Sequence, residues 1–238
     1  MQAVVLAAGK GVRMRPLTEQ MPKAMIPLAG KPVLERILEN LAKAGYTEIH
    51  LVVGYMKESI EKKFGEKFQG MKINYFVQEK QLGTAHAMSL VEGFVDDNFV
   101  VVNADVLVES ELLKDLAKSD EFDLSDAKIV TIEVSDTWRY GCLKIVKGQV
   151  KDIVEKPAPG QEPSHSVNIG VYKFDKLIFA AIKEINLSER NEFELVDAIK
   201  ELIKAGGTVV PVIYSGFYAH IGDQNDIEQA EKKLKAMP

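Results

Sequence analysis

The 238-residue chain is 46% hydrophobic and 27% charged, an ordinary globular composition, long enough to bury a core without disulfides or a structural metal. Thirty basic against 35 acidic side chains leave a net charge of −5, which excludes wholesale binding to nucleic acid or to an anionic membrane surface. A single cysteine, no apolar run near the roughly 20 residues of a membrane span, and an N-terminus unlike a signal peptide make a reducing cytoplasm the expected home.

The first apolar run, Ala3 to Leu6, starts almost at residue 1 and stops at Ala-Ala-Gly, which predicts a buried strand entering a glycine loop. Pro32 opens a helical pattern with Val33, Leu34, Ile37, Leu38 and Leu41 on one face and Gly45 as its stop. Ile49 to Val53 is the next strand, followed by a charged helix through Ile60 and Phe64. Ile73 to Val77 is a third strand, and Thr84 to Val91 a helix behind Gly83. Phe99 to Val102 is a fourth, ending at Asn103-Ala104-Asp105. This alternation predicts parallel βαβ units in a doubly wound α/β sheet, with ligands gathered outside the carboxyl ends of its strands.

The pattern changes after about residue 125. Ile129 to Val134, Leu143 to Val146 and Val150 to Val154 read as strands, the last two a hairpin around Lys147-Gly148-Gln149. Val167 to Phe174 is another strand beyond a Pro/Gly loop, and Asn191 to Ala205 a helix with Asn191 as its cap. Val209 to Ile213 is a late strand and Asn225 to Leu234 a closing amphipathic helix.

Residues 9 to 23, GKGVRMRPLTEQMPK, set Lys10, Arg13, Arg15 and Lys23 against one acid, Glu19. Gly9 and Gly11 let the backbone approach a ligand, and successive N–H groups there can form an anion nest. Such a loop is longer than the about 2–6 residues of an ordinary βα turn, a length usually kept for function. It is not a P-loop, since G-x-x-x-x-G-K-[ST] is missing. Nor is it the dinucleotide fingerprint, because Met14 stands at the third glycine.

The segment LAAGKGVRMRPLTEQMPKAMIPLAGKPVLERIL resembles the signature of the sugar-phosphate nucleotidyltransferases, also called NDP-sugar pyrophosphorylases. Against the usual G-x-G-[TS]-R-[ML]-x-P-x-T-x-x-x-P-K it departs only at Val12. The resemblance continues in QLGTAHA (81–87), VVNAD (101–105), VEKP (154–157) and VNIGVY (167–172). It implies the nucleotide-diphospho-sugar transferase fold: a Rossmann-like, mostly parallel sheet with an inserted sugar-binding part. One domain is expected over 1–238, with a nucleotide-binding half to about 125 and a sugar-binding half with the closing helix from about 126.

The resemblance also implies roles. Leu6, Ala8, Gly9 and Gly11 hold base and phosphates, and Arg13 and Lys23 stabilise the departing pyrophosphate, whose growing charge such cations offset. Gln78 and the Gly83-Thr84 turn read the base edge, although Thr84 is also a natural helix cap. Gly141, Glu155 and Asn168 face the sugar, and Lys156 its phosphate. Asp105, just past an apolar strand end, suits Mg²⁺, which favours oxygen ligands shared with substrate phosphates. Where the family has W-x-D-x-G, with a second metal-binding Asp, this chain reads Tyr218-Ala219-His220-Ile221-Gly222-Asp223. Imidazole suits Mg²⁺ poorly, so Asp223 is the expected second ligand; its alternative role is to cap the final helix.

The implied reaction is in-line attack of a sugar 1-phosphate on the α-phosphorus of an NTP. The attacking phosphate is already anionic near neutral pH, its second pKa being about 6, so no general base is required. QLGTAHA resembles the uridylyltransferases, particularly the pyrophosphorylase domain of the N-acetylglucosamine-1-phosphate enzymes, which favours UTP, with dTTP next. The alternative is a non-catalytic regulatory subunit on the same fold, expected to lose Arg13, Lys23, Asp105 or Lys156; all four are present.

Overall fold

The structure, a computed structural model, describes residues 1–118 and 124–236. β1 (Gln2–Ala7) leads through a loop of three short 3-10 turns to β2 (Pro27–Leu28), β3 (Lys31–Pro32) and α1 (Val33–Lys43). Next come β4 (Glu48–Val53), α2 (Lys57–Phe64), β5 (Lys67–Phe68), β6 (Met71–Val77) and α3 (Thr84–Ser89). β7 (Asn98–Asn103), β8 (Val106–Val108), α4 (Ser110–Ala117), β9 (Ala127–Glu133), β10 (Gly141–Val146), β11 (Gln149–Glu155) and β12 (Ser166–Asp175) follow. α5 (Leu177–Glu184), α6 (Leu195–Lys204), β13 (Val209–Ile213), β14 (Tyr218–His220) and α7 (Gln224–Lys235) complete it. The chain forms two compact units, interleaved in sequence: Met1–Gln81 with Val102–Ala117 and Gly216–Pro238, and Leu82–Val101 with Lys118–Ser215.

The first unit carries the parallel sheet that the strand–helix alternation predicts. β1 pairs β4 from Gln2↔Glu48 to Ala7↔Val53, and β4 pairs β6 from Glu48↔Lys72 to Val53↔Val77, all parallel. Ala3 to Ala8 are buried without a break, as expected of a strand covered on both faces. α1 buries the five predicted side chains, Val33, Leu34, Ile37, Leu38 and Leu41. Truncating one of them to Ala is expected to cost about 2–5 kcal/mol. β14 runs antiparallel to β8, so the C-terminal segment returns beside the residues that follow Asp105.

The second unit is built differently. β12 lies antiparallel to β9 and to β10, β10 and β11 form the predicted hairpin, and β13 runs parallel to β9. Lys147 and Gly148 turn the hairpin with positive φ at both, 50° and 76°, matching the twist of the strands. α6 buries Leu195, Ala198, Ile199 and Leu202, a helical stripe. Its start corrects the expectation from sequence. Asn191, at φ 57°, makes the preceding turn, and Glu194 is the N-cap. Asn tolerates the left-handed region, so the local turn took it. The sequence reading also left α5 unassigned. Its first amide, Leu177 N, donates to Asp175 Oδ1 at 2.8 Å.

Candidate active site

In the first unit, three parallel strands deliver their carboxyl ends to one place. β1 ends at Ala7, β4 at Val53 and β6 at Val77, and Tyr55 N donates back to Ala8 O at 3.5 Å. Gly54 explains how closely the chains meet there. A Cβ on it would sit 2.9 Å from Gln81 Nε2 and 3.0 Å from both Ala8 O and Gln78 O. Gln78 itself is buried, and its carbonyl accepts from Gln81 Nε2 at 3.1 Å. Gly54 and Gln81 were not singled out from sequence, although a glycine directly after a strand was the available signal.

The glycine loop is held by its own residues. Gly11 adopts the left-handed conformation, φ 62° and ψ 41°, and its carbonyl accepts from Thr18 Oγ1 at 2.8 Å. A Cβ at Gly11 would lie 2.9 Å from Lys23 Cβ, so the glycine is required both by conformation and by the lysine stem packed on it. That packing aims Lys23 inward, where Nζ lies 2.5 Å from Asp105 Oδ2. Lys10, Arg13 and Arg15 are exposed, and among the described residues none has an acidic partner within 4.0 Å. The loop therefore presents cations free to meet an anionic ligand.

Ala104 N donates to Leu6 O at 3.0 Å, which places Asp105 just past the end of β1. Burial pushes the Asp105 carboxyl up, but the Lys23 charge and the His220 imidazole outweigh it and hold it well below the usual carboxylate range. His220 Nε2 lies 3.7 Å from Asp105 Oδ2, and Nδ1 lies 3.4 Å from Asp226 Oδ2. Burial lowers the imidazole's proton affinity, yet these two carboxylates leave it raised.

Asp223 caps the final helix. Oδ1 accepts from Asp226 N at 2.9 Å, and Asp226 Oδ2 accepts in return from Asp223 N at 3.2 Å, a reciprocal capping box. Asn225, where the sequence pattern starts the closing helix, lies inside α7. Among the described residues no group of three or more His, Cys, Asp or Glu could hold a metal ion. Asp105 offers its carboxylate here, with Asn103 Oδ1 two residues earlier, buried and without a hydrogen bond among the described residues. These oxygens fit a magnesium ion that takes most of its ligands from water and substrate phosphates, not one caged by protein.

The second unit gathers the expected sugar-facing residues. Gly141 and Glu155 are cross-strand neighbours, and a Cβ at Gly141 would lie 2.9 Å from Glu155 Oε2 and 4.0 Å from Asn168 Cβ. Lys156, at φ 46°, bends the chain out of β11 and keeps Nζ 3.7 Å from Glu155 Oε1. Asn168 Nδ2 donates to Tyr172 Oη at 2.8 Å and its Oδ1 accepts from Gly170 N at 2.9 Å, which fixes the amide. Arg190, missed in the sequence, faces the same group at 3.5 Å from Glu155 Oε1, and Glu194 grips it with two bonds. Its signal was a basic residue in the turn before α6. Cys142 is buried, and burial raises its thiol, so it is no nucleophile.

Gly83 and Thr84 also lie in this unit. Gly83, not Thr84, is the N-cap of α3, and the Thr84 hydroxyl serves elsewhere, accepting from Leu195 N at 2.9 Å.

Comparison with known proteins gives a consistent result. The family profile described as Nucleotidyl transferase matches residues 2–237. UTP–glucose-1-phosphate uridylyltransferase AglF of Haloferax volcanii is 37% identical over 238 residues, covering 99% of this chain and 97% of that protein. The bifunctional protein GlmU of Methanococcus maripaludis is 37% identical over 236 residues, but the chain spans only 54% of its length. The crystal structure of a UDP-glucose pyrophosphorylase complexed with UDP-glucose superposes with a TM-score of 0.87 at 24% identity, covering 98% of each chain.

Proposed function

Because the chain belongs to the nucleotidyl transferase family, we propose that it transfers a nucleoside monophosphate from an NTP to a sugar 1-phosphate, releasing pyrophosphate. The observation that carries this reading is the Lys23–Asp105 pair, 2.5 Å apart, set beside a glycine loop with exposed Lys10, Arg13 and Arg15 at a parallel-sheet edge. An oxygen of the sugar phosphate attacks the α-phosphorus, a new P–O bond forms, and the bond to the β-phosphate breaks. Pyrophosphate leaves with the electron pair.

Arg13 and Lys23 neutralise the charge that grows on the leaving pyrophosphate. Lys156 and Arg190 hold the sugar phosphate, Glu155 and the Asn168 amide meet sugar hydroxyls, and Gly141 leaves room for the ring. Gln78 and the Gly83-Thr84 turn read the base, with Leu6, Ala8, Gly9 and Gly11 lining the nucleotide through their backbone. Mg²⁺ bound at Asp105 would draw charge from the α-phosphate and sugar phosphate together. Positioning and charge neutralisation carry the rate, and no side chain acts as general base.

UTP is the favoured nucleotide and dTTP its nearest competitor, with glucose 1-phosphate the first sugar to try, in line with the AglF relative. The reducing cytoplasm inferred from the single cysteine is the proposed compartment. The regulatory alternative gains no support, since each phosphate-handling cation and Asp105 are kept. A matrix of four NTPs against several sugar 1-phosphates, with Mg²⁺ and product identified by mass, tests base and sugar together. A UDP-sugar as main product is expected; a guanosine or cytidine product would overturn the base assignment.

A further inference from the structure

The Gly83-Thr84 turn bonds to the segment that carries Arg190 and the Glu194 that holds it. Phe193 N donates to Leu82 O at 2.7 Å, and Ala85 N donates to Phe193 O at 2.9 Å. A Cβ on Gly83 would fall 2.4 Å from Phe193 O and 2.8 Å from Phe193 N, so only glycine allows the two backbones to lie this close. Two residues on, Leu195 N donates to Thr84 Oγ1.

Glu194 lies between these two ties. It is the N-cap of α6 but makes no side-chain capping bond, so the Thr84 hydroxyl satisfies an amide that the helix start leaves open. Its carboxylate is spent on Arg190, taking Nε at 2.9 Å on one oxygen and a guanidinium N–H on the other. Burial raises that carboxyl, yet Arg190, Ser188 and the charge of Lys156 leave it lowered, so it stays an anion. Arg190 in turn stands 3.5 Å from Glu155.

We propose that Thr84 is a positioning residue for the sugar side of the site, acting through Leu195, Glu194 and Arg190. The inference rests on the reading that Lys156 and Arg190 hold the sugar phosphate while Glu155 meets sugar hydroxyls. It assigns the hydroxyl of Thr84 a role separate from the base-reading backbone of the same turn. An arginine fixed by a planar two-bond grip presents its remaining N–H groups in one direction, and that direction depends on where Glu194 is held.

The test compares Thr84→Val, which keeps the shape and removes the acceptor, with Thr84→Ser, which keeps the acceptor. Steady-state kinetics use UTP and glucose 1-phosphate, and hydrogen exchange is followed over residues 188–195. Thr84→Val is expected to raise the KM for glucose 1-phosphate about tenfold and leave that for UTP within about twofold, with faster exchange at Leu195. Thr84→Ser should restore both. A rise confined to UTP, or no change in either KM, overturns the proposal. If the native protein turns over no NTP with any sugar phosphate, the functional reading itself fails. Exchange then decides the positioning claim alone: unchanged protection at 188–195 in Thr84→Val overturns it.

Discussion

Lys23 and Asp105, 82 positions apart in sequence, form a half-buried ion pair with Nζ 2.5 Å from Oδ2. Gly11 sets up this meeting, because only a residue without a side chain lets the lysine stem pack across the glycine loop. The pair joins the group assigned to the leaving pyrophosphate to the carboxylate assigned to the metal.

Lys23→Ala is therefore expected to lower kcat by about 10²–10³ while nucleotide binding weakens far less, as for loss of one transition-state charge partner. Steady-state kinetics with calorimetric NTP titration check it. An unchanged kcat would remove Lys23 from the chemistry.

Lys156→Ala should act on the other substrate. Its KM for the sugar phosphate is expected to rise at least tenfold, with NTP affinity nearly unchanged, because Lys156 stands with Glu155 at the end of β11. Loss of NTP binding in calorimetry would overturn this division of labour.

The capping box gives Asp223 a structural cost that can be separated from catalysis. Asp223→Ala is expected to lose about 1 kcal/mol of stability in urea unfolding, and Asp223→Asn, which can still cap, only a fraction of that. Both should keep the native Mg²⁺ dependence of turnover. A steep new Mg²⁺ requirement in Asp223→Asn, without loss of stability, would return Asp223 to the metal. His220→Ala, which removes a group held against Asp105, is expected to alter that dependence more than Asp223→Asn does.

Glu48 predicts an acid limb in stability. Its carboxylate accepts from Asn74, Gln2 and Lys72 across three parallel strands, and the Asn74 and Gln2 bonds lead in lowering its pKa from 4.5 to about 2. A depressed carboxyl contributes stability fully present above its unfolded value, and that contribution is lost as pH falls from about 4.5 toward about 2. Glu48→Gln is expected to cost about 1 kcal/mol at pH 7, kept small by the group's partial exposure, and to flatten the acid limb. Equal slopes in the two proteins between pH 5 and pH 3 would contradict this.

Much of this was legible in the sequence where one local signal decides the structure. The unbroken apolar run of β1, the α1 stripe and the Lys147-Gly148 hairpin each state their own geometry. Reading failed where partners are remote. Thr84 looks like a cap for its own helix and instead accepts from Leu195 N at the start of α6, 111 residues away. Asp223 carries equal local support as cap or ligand, and the reciprocal bond with Asp226 that makes it a cap is set by folding. Arg190 shows in sequence only as a basic residue before α6, because its grip by Glu194 and its approach to Glu155 are both set by folding.

The most direct measurement of nucleotidyl transfer is pyrophosphate release by the purified chain with UTP, glucose 1-phosphate and Mg²⁺, omitting one component at a time. Release is expected only with all three present, in step with UDP-glucose formation, and strongly reduced in Lys23→Ala. Release that continues without a sugar phosphate would mean hydrolysis, and no release with any NTP and sugar 1-phosphate would contradict the assignment outright.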